Sequence, residues 1–159
     1  MDLQVYNTLI LSDLHLGAET SHAREALRVL KENRFRRLIL LGDIFADLNF
    51  ARLTKEHWKF LGHIRKLSNP KRNIEIVWVE GNHDHGLTNI MSHLVGVRVY
   101  QQYEWQYNGL RHMAIHGHQF DGFNAGIVDE AVDARVPFPM AHSAYWGVDR
   151  VYELLGKQL

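Results

Sequence analysis

The sequence predicts an α/β fold in which helical crossovers connect the strands of a parallel sheet. Short apolar runs that are typical of buried strands alternate with stretches whose apolar residues recur at helical spacing. The order strand, helix, strand, helix, strand is typical of parallel sheets, because parallel neighbours need a long connection. With 159 residues, of which 46% are hydrophobic, the chain is long enough for one domain with a substantial core.

Three predicted strands share one pattern, which is an apolar run that ends in polar residues. The first runs from Tyr6 to Asp13, the second from Arg37 to Asp43 and the third from Ile74 to Asn82. Short apolar runs without strict alternation are typical of strands that are buried on both faces. We therefore interpret all three as buried strands of the parallel sheet.

Two amphipathic helices are predicted between these strands. The stretch from Ser21 to Phe35 has apolar residues at helical spacing, and Ser21 is the predicted N-cap. The stretch from Leu53 to Leu67 repeats the pattern and is followed by Ser68-Asn69-Pro70, which ends a helix. Both stretches are long enough to form the crossovers between parallel strands.

The second half of the chain follows a different pattern. The segment "NIMSHLVG" predicts a short helix that ends at Gly96. The stretch from Val97 to Gly117 alternates and contains Asn108-Gly109, a strong signal for a β-hairpin. Helices are predicted again from Gly122, and the last one covers Ser143 to Leu155. Since we find no internal repeat or linker, we expect one domain over residues 1–159.

The composition excludes several classes of site and partner. The sequence contains no cysteine, which excludes disulfides, thiolate metal sites and cysteine nucleophiles. The formal net charge is +0, so we expect no long nucleic acid as a partner. There is no signal peptide or apolar run of membrane-spanning length, so we expect a cytoplasmic protein without a transmembrane segment. The basic runs Arg34 to Arg37 and Lys71-Arg72 are interpreted as solvated ends of elements, rather than as a phosphate-binding patch.

Polar side chains that can bind metals follow the predicted strands. They are Asp13 and His15 after the first strand, Asp43 after the second, Asn82, His83 and Asp84 after the third, and His116 and His118 after a later strand. In an open α/β sheet, ligands bind at the carboxyl ends of the strands. We therefore expect the loops to bring these groups to one rim of the sheet.

The types of side chain at this rim favour particular metals. Carboxylate, imidazole and amide groups without sulfur suit Mn²⁺, Fe or Zn²⁺, whereas Mg²⁺ and Ca²⁺ prefer oxygen ligands alone. If the segment is extended, Asp13 and His15 point to the same side, and Asp43 has two oxygens that can bridge two ions. Taken singly, each residue also fits a turn, a cap or a packed position. The remaining histidines are interpreted as packed or surface residues: His22, His57, His63, His93 and His112.

In this order and spacing, four motifs resemble those of the calcineurin-like metallophosphoesterase superfamily. The matching segments are Asp13-Leu14-His15, Gly42-Asp43, Gly81-Asn82-His83-Asp84 and His116-Gly117. The wider sequence around them resembles the branch that contains the UDP-2,3-diacylglucosamine pyrophosphatases. The resemblance implies an α/β fold with two sheet layers flanked by helices (αββα), shortened and incomplete at its C-terminal end.

The resemblance also implies a binuclear metal site. Asp13 and His15 would bind the first ion, and Asp43 would bridge the two ions. Asn82 and His116 would bind the second ion. The implied cofactors are two divalent metal ions, with Mn²⁺ as the first expectation and Fe or Zn²⁺ as alternatives.

For catalysis, the resemblance implies roles for His83 and Asp84. His83 would contact the phosphate and stabilise or protonate the leaving oxygen, with Asp84 orienting its imidazole. The implied reaction is hydrolysis of a phosphodiester or pyrophosphate bond by attack of a metal-bound hydroxide. The expected substrate is a phosphorylated small molecule or a lipid-linked compound, and a nucleotide-linked pyrophosphate fits the branch.

The sequence departs from the family pattern in two places. The second Asp of the second motif falls on Ala46, with Asp47 one residue later. The family's C-terminal G-H-x-H motif, which would give one ligand to each ion, has no match. His118 and His142 are the candidate substitute ligands, together with water or a neighbouring chain in a homo-oligomer. A shortened recombinant form, a gene fragment and a natural variant all stay open as explanations.

The alternative hypothesis is a catalytically weak or inactive remnant that acts as a metal-binding or assembly module. The missing motif favours the remnant, whereas the intact His83-Asp84 pair favours the enzyme. Metal stoichiometry distinguishes them, since the enzyme needs two ions. The aromatic-rich segment between Phe120 and Trp146 is interpreted as core, with peripheral membrane contact or dimer formation as the alternative.

Overall fold

The structure, a computed structural model, describes residues 5–84 and 86–118 of the chain. The chain divides into two units, residues 1–115 and residues 116–159. All helices and strands named below belong to the first unit. The helices predicted from Gly122 to Leu155 lie outside the described residues.

Four parallel strands form a sheet in the same order as they occur along the chain. They are β1 (Val5–Leu11), β2 (Arg34–Leu41), β3 (Glu75–Val79) and β4 (Arg98–Tyr100). The register brings the ends of the first three strands together, because Leu11 pairs with Leu40 and Leu41 pairs with Val79. The carboxyl ends of these strands therefore lie along one edge of the sheet.

Three helices connect these four strands, and they cover one face of the sheet. They are α1 (Ala23–Glu32), α2 (Lys55–Leu67) and α3 (Thr88–Leu94). Crossovers of one hand between consecutive neighbours place all the connecting helices on the same side. The larger core agrees with this rule, since it contains buried side chains from each of the three helices. Because the chain returns to the amino end of the sheet through each helix, α2 begins at the carboxyl edge.

A β-hairpin of strands β5 (Tyr103–Tyr107) and β6 (Leu110–Ala114) follows the parallel sheet. Asn108 and Gly109 form its turn with φ angles of 51° and 76°. Two consecutive positive φ angles are the requirement of a type I′ turn, which Asn-Gly meets with little strain. The hairpin predicted from this dipeptide is confirmed.

The hairpin packs against the face of the parallel sheet that the helices leave uncovered. Tyr103 and Trp105 contact a second core cluster that includes Ile39, Val77 and Val79. The described residues thus form a layer of helices, a parallel sheet and a second small sheet. The predicted α/β class, with a parallel sheet flanked by helices, is confirmed.

One local prediction was wrong, and one strand was missed. Helix α1 begins at Ala23 with His22 at the N-cap, and the Ser21 hydroxyl instead donates a hydrogen bond of 2.8 Å to the Leu14 carbonyl. Strand β4 was not recognised within the alternating stretch, because a three-residue strand has too few positions to show a period. Within the described part of the chain, no helix is long and apolar enough to cross a membrane.

Candidate metal centre

The loops that follow β1 and β2 are held side by side at the carboxyl edge of the sheet. The Asp13 N–H donates to the Gly42 carbonyl at 3.2 Å, and the His15 N–H donates to the Asp43 carbonyl at 3.0 Å. The pairing then extends to a parallel bridge between Leu16 and Phe45, both fully buried. The two loops therefore continue the ladder of the sheet, and this fixes the backbone beneath the polar side chains.

This arrangement brings Asp13, His15 and Asp43 into one cluster. One ligand atom from each residue lies within 4.8 Å of the others. Asp43 is buried, whereas Asp13 and His15 are partly exposed, so the cluster is rooted in the core and open to solvent. Two carboxylates and one imidazole at this spacing suit a divalent ion such as Mn²⁺, Fe²⁺ or Zn²⁺. The structure thus brings together three of the predicted metal ligands.

All three cluster residues have a left-handed backbone. Their φ angles are 54° for Asp13, 46° for His15 and 49° for Asp43. Among the described residues, the only other non-glycine positions with positive φ are two asparagines, and Asn, Asp and His all adopt this region more readily than most residues. Such conformations cost about 1–3 kcal/mol each and concentrate at functional sites. The strain here is distributed over the residues whose side chains form the cluster.

The loop after β3 approaches this cluster closely, which explains why Gly81 is a glycine. A Cβ atom at Gly81 would overlap the Asp43 carboxylate and the Asp43 backbone nitrogen. Gly81 itself is not among the glycines with positive φ, so lack of space rather than backbone freedom requires the glycine. Further along the loop, the His83 N–H donates to Asp43 Oδ1 at 3.0 Å. Asp43 therefore joins the loops of β2 and β3.

The imidazole of His83 lies beside the cluster, and a backbone group orients it. Its Nδ1 lies 2.9 Å from the Ala46 carbonyl oxygen, an acceptor, so the Nδ1 atom carries a proton. The Nε2 atom is 3.9 Å from Asp43 Oδ2, and the ring packs edge-to-face on His15 with centroids 5.5 Å apart. Because the side chain is 49% exposed, Nε2 is accessible to a bound molecule.

The role expected for Asp84 needs correction. Its carboxylate is fully buried and accepts the Gly81 N–H at 2.5 Å and the Ile44 N–H at 2.9 Å. Burial raises the pKa of Asp84, the nearby Asp43 raises it further, and the two backbone N–H donors oppose the shift. Asp84 thus ties the loops of β2 and β3 together. The Ala46 carbonyl, and not Asp84, orients the His83 ring.

The other predicted ligands are placed as follows. Asn82 is exposed, in the same loop as His83. His116 and His118 belong to the second unit of the chain, where their rings contact each other with Nδ1 atoms 3.1 Å apart. His142 lies outside the described residues. Their roles as ligands stay predictions.

Two groups that shape the site were not among the predicted site residues. The Ala46 carbonyl is a backbone group, and no sequence signal marks it. His57, interpreted as a packed or surface residue, is buried, and its Nδ1 accepts the N–H groups of Thr54 at 3.1 Å and Gly17 at 3.3 Å. It joins helix α2 to the loop that carries His15. The spacing Thr54-x-x-His57 resembles a capping box, and this signal could have indicated it.

The fold and the cluster together define an α/β protein with a candidate site for a divalent metal ion at the carboxyl edge of a parallel sheet. The family model described as calcineurin-like phosphoesterase matches residues 6–152, which is most of the chain. The chain therefore belongs to the calcineurin-like phosphoesterase family, whose members use divalent metal ions.

Comparisons with individual proteins add a structural likeness. Among solved structures, 20 chains match. One of them is the crystal structure of Pseudomonas putida nuclease MPE, with a TM-score of 0.43 and 21% identity over 64% of this chain and 50% of that chain. This chain thus spans about half the length of that protein. No sequence among the curated proteins matches significantly.

Proposed function

We propose that this chain is a metal-dependent phosphoesterase that hydrolyses a phosphodiester or a pyrophosphate bond. The observation that carries the proposal is the Asp13, His15 and Asp43 cluster with the accessible His83 ring beside it. A cation site next to a proton donor is what phosphoryl transfer to water requires. Membership of the calcineurin-like phosphoesterase family supports the same reaction class.

The donor set fits a divalent ion. Asp13, His15 and Asp43 would hold it, and we propose Asn82 and His116 as ligands of a second ion. When bound, the ions supply positive charge that stabilises the negative charge on the phosphoryl oxygens. Mn²⁺ is the proposed ion because the set mixes carboxylate, imidazole and amide groups.

The chain's own contribution to the chemistry centres on His83. Its Nδ1–H group donates a hydrogen bond to the Ala46 carbonyl, so Nε2 is the atom that exchanges a proton with the leaving oxygen. Nε2 lies 3.9 Å from Asp43 Oδ2, which places this atom beside the cluster. The hydrogen bond from the His83 N–H to Asp43 keeps the loop and the cluster in a fixed relation.

The experiment that tests this function is hydrolysis of bis(p-nitrophenyl) phosphate with added Mn²⁺. We compare the wild-type chain with Asp43→Asn, and Glu104→Gln makes the same change at an exposed carboxylate outside the cluster. We expect Asp43→Asn to lose at least about 100-fold in rate, and Glu104→Gln to match the wild type. A wild-type rate equal to that of buffer with Mn²⁺ would refute the proposal.

Metal stoichiometry separates this function from the non-catalytic alternative. An active wild-type chain that binds two Mn²⁺ per chain supports the binuclear enzyme. An inactive chain that binds one ion with all three cluster residues required would indicate a metal-binding module instead. Titration followed by calorimetry measures the number of ions directly.

A further inference from the structure

We infer that Ser12 sets the ion preference of the metal centre by holding one oxygen of Asp13, so that Asp13 offers a divalent ion only its other oxygen. The inference rests on the metal binding that the proposed function requires, and it does not depend on hydrolysis. Ser12 lies between the end of β1 and Asp13 and is not among the predicted ligands. The contacts of its hydroxyl support this role.

The Ser12 hydroxyl lies between the ends of two neighbouring strands. Ser12 directly follows Leu11, the last residue of β1, and its Oγ lies 2.6 Å from the carbonyl oxygen of Leu41, the last residue of β2. The same hydroxyl donates to Oδ2 of Asp13. Because the Asp13 N–H continues the ladder of the sheet to the Gly42 carbonyl, the backbone on both sides of this contact is held in place.

The hydroxyl has one hydrogen and two neighbouring acceptors. The Asp13 carboxylate is charged and accepts the stronger hydrogen bond, whereas the Leu41 carbonyl is neutral. The hydrogen is therefore assigned to Asp13 Oδ2, and the contact with Leu41 keeps Oγ at the end of β2. Removal of the hydroxyl would release Oδ2 from Ser12 without removing any predicted ligand.

The two oxygens of Asp13 thus have different neighbours. Oδ2 contacts Ser12, whereas Oδ1 lies 3.9 Å from Nε2 of His15, the other predicted ligand of the first ion. An ion held by Asp13 and His15 would therefore meet the carboxylate through Oδ1. Ser12 is a positioning residue in this account, since it acts on the ion through Asp13.

The number of oxygens that a site offers distinguishes Ca²⁺ from Mn²⁺. Ca²⁺ takes about 6–8 oxygen ligands and commonly binds both oxygens of a carboxylate. Mn²⁺ is smaller and accepts imidazole nitrogen together with carboxylate oxygen. A site in which His15 supplies a nitrogen and Asp13 a single oxygen is poor in oxygen, so it disfavours Ca²⁺. By engaging Oδ2, Ser12 preserves this preference.

The test measures the dissociation constants of Mn²⁺ and Ca²⁺ for the metal-free chain by calorimetry. We expect Ser12→Ala to weaken Mn²⁺ binding by about 10-fold and to leave Ca²⁺ binding unchanged or tighter, so that the preference for Mn²⁺ falls by about 10-fold or more. Ser21→Ala is the matched control, because the Ser21 hydroxyl donates to the Leu14 carbonyl at 2.8 Å, a backbone group rather than a ligand. It should change both constants by the same factor. If Ser12→Ala also weakens both ions equally, its role is merely structural and the inference is overturned.

A second pair of variants keeps the test decisive if Ser12→Ala folds poorly. Threonine and valine have the same shape, and only threonine carries a hydroxyl. We expect Ser12→Thr to keep the preference for Mn²⁺ within about twofold of the wild type, and Ser12→Val to lose it as Ser12→Ala does. The same preference in Ser12→Thr and Ser12→Val would overturn the inference, as would a wild type that binds neither ion.

These binding measurements separate the role of Ser12 from the proposed hydrolysis. If the wild type does not hydrolyse bis(p-nitrophenyl) phosphate but Ser12→Ala loses the preference for Mn²⁺, the hydrolytic function fails and the role of Ser12 stands. If the wild type is active and all variants keep the preference, the role of Ser12 fails and the function stands.

Discussion

Replacement of His57 should change how the stability of the fold depends on pH. The ring is 5% exposed, and its Nδ1 accepts the N–H groups of Thr54 and Gly17. Nδ1 can accept only in the neutral ring with its proton on Nε2. Protonation would place a second donor against two N–H groups and would put a charge into a buried position.

The sign of the pH effect follows from the shift in the pKa. Burial lowers the pKa of His57 in the folded protein, and the neighbouring Glu56 opposes this only in part. The unfolded value is about 6.5. A folded pKa below the unfolded one means that the stabilisation is complete above about pH 6.5 and is lost as the pH falls through the folded pKa.

The structure also sets the size of the effect. Loss of two hydrogen bonds at about 1 kcal/mol each gives a deficit of about 2 kcal/mol for His57→Ala at about pH 8, before any loss of packing. His57→Gln keeps an acceptor at the capping position and should lose only about 1 kcal/mol. Because glutamine does not titrate, the gap between wild type and His57→Gln should shrink as the pH falls.

Urea unfolding followed by circular dichroism measures these differences between about pH 8 and about pH 5. The two variants serve as each other's control, since only the glutamine retains the cap. If His57→Gln loses stability on acidification as steeply as the wild type does, another group titrates and the reasoning about Nδ1 is refuted. His57→Ala should also weaken Mn²⁺ binding several-fold, because the Gly17 N–H that His57 holds belongs to the loop that carries His15.

Two further changes test the loop after β3, and a third, on α2, serves as a control. Gly81→Ala would drive a methyl group into the Asp43 carboxylate, so we expect a loss of about 1–3 kcal/mol in the free energy of unfolding and no Mn²⁺ binding by calorimetry. In Gly62→Ala on α2, the added Cβ meets open space, so we expect the protein to be stabilised by about 0.5–1 kcal/mol. A destabilised Gly62→Ala would contradict the use of Cβ contacts to predict the effect of Gly81→Ala. Asp84→Asn sets an amide NH₂ group against one of two backbone N–H donors, which should cost about 1–3 kcal/mol. Wild-type stability in Asp84→Asn, measured by urea unfolding, would show that Asp84 does not tie the two loops.

Much of the fold follows from the sequence because its signals are local. The apolar runs that form β1, β2 and β3 and the Asn108-Gly109 turn each report on a few adjacent residues. Sequence signals mislead where a tertiary contact decides the local structure. Ser21 has the side chain of an N-cap, yet its hydroxyl finds the Leu14 carbonyl, a partner seven residues away.

The site divides in the same way. Asp13, His15 and Asp43 were predicted together because each follows a strand, and parallel strands end at one edge. The contacts of His83 and Asp84 could not be predicted, since Ala46 acts through its carbonyl and Asp84 through backbone donors. A backbone group leaves no trace in the identity of its residue.

Because Gly81 lies against Asp43, the site depends on the register in which β2 and β3 pair. Leu41 pairs with Val79, and Asp43 and Gly81 lie equally far beyond these paired residues. If β3 slipped by one residue, Glu80 or Asn82 would take the place of Gly81, and its side chain would collide with Asp43. A slipped sheet therefore cannot assemble the cluster. Divalent ions present during refolding should raise the yield of correctly paired chains, because they stabilise by mass action only the state that can bind them.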